Sequence, residues 1–186
     1  MKMVLRILKL SLVLILLIVA GITGMCLYQY KEDKRINEDY IEVNNLINEN
    51  KYSDAKELLN DMSEKYADVY NKNKIDKLKK KCSNLIMCDT NLIEADDLYN
   101  NQEYYKAYYL YCDIDIDHPK YDYAMEKASK CKTKYINHQI DLIVEFRVNK
   151  DYDQALSLAE ELLKFSNTKQ IQNLVTELQI LKSDNN

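Results

Sequence analysis

From residue 25 to the end the chain contains no glycine, and Pro119 is its single proline. Its only two glycines, Gly21 and Gly24, sit in an apolar N-terminal stretch. Without glycine, positive φ is costly for the backbone. Two-residue β-hairpins, phosphate-cradling loops and nucleophile elbows all lean on glycine. Helices joined by short Asn, Asp and Lys turns do not. An all-α fold is therefore expected for this chain of 186 residues. The abundance of Lys, Asn, Ile and Tyr looks like the bias of an AT-rich bacterial genome.

The first long apolar feature is Leu10 to Tyr28, an uncharged run of 19 residues. At about 1.5 Å per helical residue it matches a hydrocarbon core of about 30 Å. Residues 1–9 form a short basic tail with Lys2, Arg6 and Lys9, and Lys31, Glu32, Asp33, Lys34 and Arg35 follow the run. Tyr28 and Tyr30 stand where interfacial aromatic anchors belong. A single-pass signal-anchor is expected, with residues 10–28 spanning. Near-membrane Lys and Arg tie at three on each side. The added α-amino charge and the cost of translocating a basic tail favour the N-terminus in the cytoplasm and residues 29–186 outside it. Leu10–Ala20 followed by Gly21-Ile22-Thr23-Gly24 also partly matches a cleaved signal peptide, but it lacks an A-x-A site and apolarity continues to Tyr28. Lipidation at Cys26 would want a small preceding residue, and Met25 is not small.

Past the membrane segment the charge balance turns acidic. The formal charge is −4 overall, and setting aside Lys2, Arg6 and Lys9 leaves the remainder three charges more negative. Nucleic acid, which demands a basic surface, is not an expected partner.

Three segments share a pattern: Asn50-Lys51-Tyr52-Ser53-Asp54-Ala55, Gln102-Glu103-Tyr104-Tyr105-Lys106-Ala107 and Lys150-Asp151-Tyr152-Asp153-Gln154-Ala155. Each places alanine three residues after tyrosine, and each lies between helical stripes. Ile36, Tyr40, Val43 and Ile47 precede the first, and Leu58, Leu59, Met62 and Tyr66 follow it. Ile75, Leu78, Cys82, Leu85, Leu92 and Ala95 run toward the second; Tyr135, Ile136, Ile140, Ile143 and Phe146 run toward the third. Leu158, Leu162 and Phe165 follow the third, and Ile171, Leu174, Val175, Leu178 and Leu181 mark a last helix. Such i, i+3, i+4 spacing lets a helix bury one side.

Tyr-x-x-Ala at the start of a second helix resembles the helix–turn–helix of tetratricopeptide repeats. The middle copy fits best, through Ala95, Leu98, Tyr104, Ala107, Tyr111 and Pro119. Leu46, Tyr52, Ala55 and Leu59 match in the first copy, where Val43 replaces the small residue. Phe146, Tyr152 and Ala155 match in the third, where Ile143 and Ala159 depart from the pattern. The family's usual period is about 34 residues. Here the tyrosines are 52 and 48 apart, so each first helix would be longer. The resemblance implies an α-solenoid of about three repeats (36–67, 85–119 and 135–167) with a C-terminal cap at 168–183. It further implies a groove lined by first helices that binds a protein or peptide segment, with Asn44, Asn48, Asp96, Tyr99, Asn100 and Arg147 along it. Tyr105 and Tyr109, which fall off the buried stripe of their helix, are additional candidates for partner contact. With no break between Tyr28 and Ile36, a nearly continuous helix from membrane to domain is expected.

Other features point less far. Asp113-Ile114-Asp115-Ile116-Asp117-His118 begins like an EF-hand loop, but His118 fills the glycine slot and Ala124 the bidentate-glutamate position. The plainer reading is a helix end before Pro119. His118 and His138 fit no zinc spacing and are expected at a surface or interface. Cys82, Cys88, Cys112 and Cys131 are expected as small buried residues, with no spacing that demands a disulfide. No acid–base or nucleophile constellation is visible, so no enzymatic activity, catalytic residue, metal or cofactor is expected. The leading expectation is a membrane-tethered interaction scaffold. A structural envelope protein touching anionic lipid or cell-wall polymer through Lys72, Lys74, Lys77, Lys79, Lys80 and Lys81 is the alternative.

Overall fold

The structure is a computed structural model that describes residues 2–66 and 69–185, with side chains described for 14–66 and 72–185. The side chains of Lys2, Arg6 and Lys9, and residue 67 at the end of the first expected repeat, lie outside the described residues. All seven elements among them are helices, and no strand occurs. They are α1 (Lys2–Asn48), α2 (Tyr52–Lys65), α3 (Val69–Asn100), α4 (Tyr104–Cys112), α5 (Tyr121–Val148), α6 (Tyr152–Phe165) and α7 (Lys169–Asp184). The chain divides into two compact units, Met1–Ile86 and Met87–Asn186, with the boundary inside α3.

In the first unit, α1 is one uninterrupted helix of 47 residues, about 70 Å long at the standard rise. From Leu14 through Tyr30 every side chain is exposed, and this helix is long and apolar enough to cross a membrane as a single span or signal anchor. Within it Thr23 donates its hydroxyl to the Val19 carbonyl at 2.9 Å, which satisfies that polar group within the helix itself. The core begins a few turns further on. Tyr40 and Val43 of α1 pack with Ala55, Leu59, Met62 and Tyr66, and with Ile75 and Cys82 of α3. The exposed apolar run and the first core residue of α1 thus share one rod.

In the second unit, α4 packs on α5, α5 on α6 and α6 on α7. One core gathers Cys88, Leu92 and Ala95 of α3, Ala107 and Tyr111 of α4, and Ala124, Ala128 and Cys131 of α5. Alanines here let helix axes approach closely enough for the Tyr111 ring to be fully buried. A second core joins Ile143, Ala155, Ala159, Leu162, Ile171, Val175 and Leu178. The roughly 50-residue spacing of the Tyr-x-x-Ala segments is taken up by long helices, α3 and α5, of 32 and 28 residues.

The three Tyr-x-x-Ala segments have the same backbone. Asn50, Gln102 and Lys150, each two residues before the tyrosine, adopt φ of 60°, 64° and 62°. In each, the next amide donates back five residues: Lys51 to the Leu46 carbonyl, Glu103 to Leu98 and Asp151 to Phe146, at 2.8–2.9 Å. The positive-φ residue itself donates to the carbonyl three back, on Ile47, Tyr99 and Arg147. This is a Schellman close, in which a left-handed residue redirects carbonyls that the helix end would leave unpaired. The sequence implied a chain that avoids positive φ, yet among the described residues three such occur and none is glycine. Their side chains are exposed, so no packing forbids the conformation and the cost is local. Val43, Ala95 and Ile143, nine residues before each tyrosine, are all fully buried, as are Ala55, Ala107 and Ala155, three after it. Val43 and Ile143, the departures from the small-residue pattern, are accommodated in full.

Gln102→Gly and Lys150→Gly should each raise stability, by about 0.5–1 kcal/mol, because glycine reaches this φ without Cβ strain. Urea unfolding of the single variants measures it. A loss of stability in both would show that the turns are not strained at these positions.

Candidate functional site

On α4, Ala107 and Tyr111 point into the core, while Tyr104 and Tyr108 are half-buried and Tyr105 and Tyr109 are exposed at 45% and 50%. A nine-residue helix carrying this many rings cannot hide them all. The outward ones meet rings from two other helices. Phe165, at the end of α6, lies 5.6 Å from Tyr105, 5.3 Å from Tyr108 and 4.8 Å from Tyr135 of α5, centroid to centroid. Tyr105 also contacts Tyr109 at 5.0 Å and Tyr135 at 5.2 Å. The planes are tilted or edge-to-face, the arrangement that ring quadrupoles favour.

Two clefts flank the Tyr105–Tyr135 pair. One, of about 240 Å³, is lined by Gln102, Glu103 and Tyr104 on one wall and His138 and Gln139 on the other. The second, of about 440 Å³, is bounded by Tyr109, Phe165, Glu161 and Lys164. Together they make a shallow, aromatic-walled trough whose lining also carries Glu103, Lys106, Glu161 and Lys164. Tyr135 and Phe165 were legible in the sequence as stripe residues. What was not legible is that they stand at the edge of the stripe, half-buried, and so wall a cleft.

The residues that the repeat resemblance nominated fall in both units. In the first unit, Asn44 and Asn48 are exposed, and Asn44 donates to the Tyr40 carbonyl of its own helix at 2.8 Å. In the second unit, Asn100 is exposed at the end of α3. Asp96 is half-buried and accepts hydrogen bonds from Tyr111 at 2.5 Å and Tyr123 at 2.7 Å. Tyr99 packs edge-on against Tyr104, with the Lys127 and Lys134 ammonium groups 4.4 and 5.2 Å from its ring centre. Arg147 reaches α7, where it pairs with Glu177 at 2.9 Å. Asn44, Asn48 and Asn100 therefore present side chains outward, whereas Asp96 and Arg147 already have protein partners with which a ligand would compete.

His118 departs from the expected surface or interface position, being buried. Its Nδ1 accepts from the Lys120 amide, so Nε2 carries the proton and faces Asp89 Oδ1 at 3.2 Å. Asp115 accepts from the Asp117 amide, and the Asp115 amide reaches Cys88 Sγ. The Asp113–Asp117 segment is thus a loop laced to α3. Among the described residues no group of three or more His, Cys, Asp or Glu converges as metal ligands. Cys82, Cys88 and Cys131 are buried free thiols, and burial pushes the Cys131 thiol up to about 11. Cys112 is instead exposed, because it ends α4 on the outer face. Five of the six lysines between 72 and 81 are exposed, Lys79 being half-buried, and Lys74 lies 3.5 Å over the Tyr40 ring.

Burial, reinforced by a carboxylate acceptor, raises several phenols. Tyr66, bonded to Asp39, and Tyr123, bonded to Asp96, are pushed up to about 12, and Tyr111 is raised further in the same direction. Below pH 10 all are protonated in folded and unfolded chains alike, and their bonds contribute fully. Above pH 10 unfolded phenols ionise first, so stability should fall as pH rises from 10 through about 12. Ultraviolet titration alongside urea unfolding tests this; flat stability across that window would contradict it. In a Cys26→Ser background, a maleimide should label Cys112 in the native protein and Cys82, Cys88 and Cys131 only after denaturation. Equal labelling rates for the four would place the helices wrongly.

Comparison with family models, with curated proteins and with solved structures returned no match to this chain.

Proposed function

We propose that this chain is a membrane-tethered protein-interaction scaffold, and that its second unit captures an extended peptide segment in the trough between α4, α5 and α6. The observation that carries this reading is the aromatic cluster around Phe165, with Tyr105 and Tyr109 half exposed between two clefts. Rigid tyrosines supply large amphipathic contact area at low entropic cost, which is why they anchor recognition. An extended segment bearing apolar or proline side chains could seat them in the two clefts, and Glu103, Lys106, Glu161 and Lys164 could read its charges.

The three Schellman turns of common geometry support a tetratricopeptide-like solenoid of about three repeats, capped by α7. Such hairpins cannot hide their apolar sides alone and stack on neighbours. Asn100 would then extend the binding face of the second unit, and Asn44 and Asn48 would lie on the corresponding first helix in the first unit. α1 would hold the domain at the bilayer, with the N-terminus in the cytoplasm and the helical units outside it. An impermeant maleimide applied to intact cells would label Cys112 in that orientation and spare it in the reverse one.

A photo-crosslinking residue placed at Tyr109 in the full-length protein should give a discrete adduct in native membranes. Tyr105→Ser should reduce that adduct about tenfold, the loss expected when one interface aromatic is removed. No adduct at Tyr109, together with an unchanged adduct profile from sites beside Asn48 and Asn100, would remove the scaffold reading.

A further inference from the structure

Where α1 leaves its apolar run, Tyr28, Lys31, Glu32 and Arg35 fall at i, i+3, i+4 and i+7 along one face. The end of α2 comes down on that face. Lys65 is its last residue, and Tyr66 caps it, donating its amide to the Met62 carbonyl. The Tyr66 hydroxyl donates to Asp39 of α1 at 2.8 Å, which pins the two helices together just above this point. Between them is a pocket of about 300 Å³ lined by these six residues: Tyr28, Lys31, Glu32, Arg35, Lys65 and Tyr66.

Its chemistry is uneven. Three cations face one carboxylate, and none of Lys31, Arg35 or Lys65 has an ion pair within 4 Å among the described residues. Lys34, by contrast, is paired with Glu38 one turn along α1. Tyr28 belongs to the exposed apolar run and Tyr66 to the folded unit, so the pocket straddles the level at which a bilayer's headgroups would lie.

We infer that this pocket binds the phosphate headgroup of an anionic phospholipid, held by Lys31, Arg35 and Lys65, with the acyl chains running down α1 past Tyr28. The inference rests on α1 spanning the membrane but not on the peptide trough. A guanidinium and two ammonium groups suit a phosphodiester: the fork of Arg35 can take two oxygens, and the lysines act as point charges. Glu32, on the same wall, would accept from a headgroup hydroxyl, which favours a glycerol headgroup over a choline one. The position makes the lipid a strut between membrane span and folded unit, fixing the tilt at which α1 emerges. It is distinct from the Lys72–Lys81 run, whose cations are spread along α3 and line no part of this pocket.

The full-length chain, extracted in zwitterionic detergent with phosphatidylglycerol added, should retain one phosphatidylglycerol molecule by native mass spectrometry and prefer it to phosphatidylcholine. The triple variant Lys31→Gln, Arg35→Gln, Lys65→Gln should weaken that retention by at least roughly tenfold, since each near-surface cation contributes to anionic lipid binding. Lys72→Gln, Lys77→Gln, Lys80→Gln removes as much charge and should leave it unchanged, and Lys31→Arg, Lys65→Arg should preserve it. Equal losses in the two glutamine triples, or none in the first, would overturn the assignment. So would displacement of the lipid by glycerol 3-phosphate at equal concentration, which would mark a site for soluble phosphate. Carbonate extraction of native membranes separates the premise: a chain released by carbonate does not span, whatever it binds, whereas one that resists extraction yet retains no lipid refutes the pocket alone.

Discussion

Reversal of the chain at Asn50, Gln102 and Lys150 is the constraint on which the rest of the fold depends. Each residue holds a left-handed backbone that ends one helix and sends the next antiparallel to it. The reversal brings the buried alanine that follows, Ala55, Ala107 or Ala155, against the buried residue nine before the tyrosine. A small side chain on one side of that contact lets Val43 or Ile143 fill the other, so the departures from a small-residue pattern cost nothing in packing. The strain of a non-glycine left-handed residue is offset by two recovered backbone hydrogen bonds and by the burial that the hairpin permits.

Within the second unit the same geometry explains why a candidate recognition surface exists. α4 is a turn and a half shorter than α2 or α6, because the chain leaves the helix after Cys112 and is tied back to α3 through Cys88, Asn91 and Asp89. A short helix with five tyrosines buries Tyr111 completely and has nowhere to put Tyr105 and Tyr109. Phe165 and Tyr135 meet them only halfway. Exposed aromatic area that the fold cannot cover is available to a partner. Electrostatics works in the opposite direction around Asp96, where the carboxylate is consumed by two phenols and serves the structure first.

The first unit couples a long apolar rod to a core without a linker. α1 is continuous from the apolar run into the residues that pack on α2. The basic pocket beside Tyr28 sits at this transition, where a fixed counter-charge would have most leverage on the angle.

Helix type, the apolar run, the stripes and the three hairpin positions were all legible in the sequence, since periodicity and the scarcity of glycine are local properties that any chain displays along its length. The uninterrupted α1 was legible for the same reason. Three things were not. Positive φ at Gln102 and Lys150 was hidden, because nothing in those residue types announces it. The burial of His118 and the exposure of Cys112 turned on where α4 stops, and that is set by contacts with α3 and not by its own residues. The ring cluster at Phe165, the Arg147–Glu177 pair and the cationic pocket at Arg35 each join residues about 30 or more apart in the chain. Such neighbours are chosen by which helix faces meet, and only the packed structure decides that.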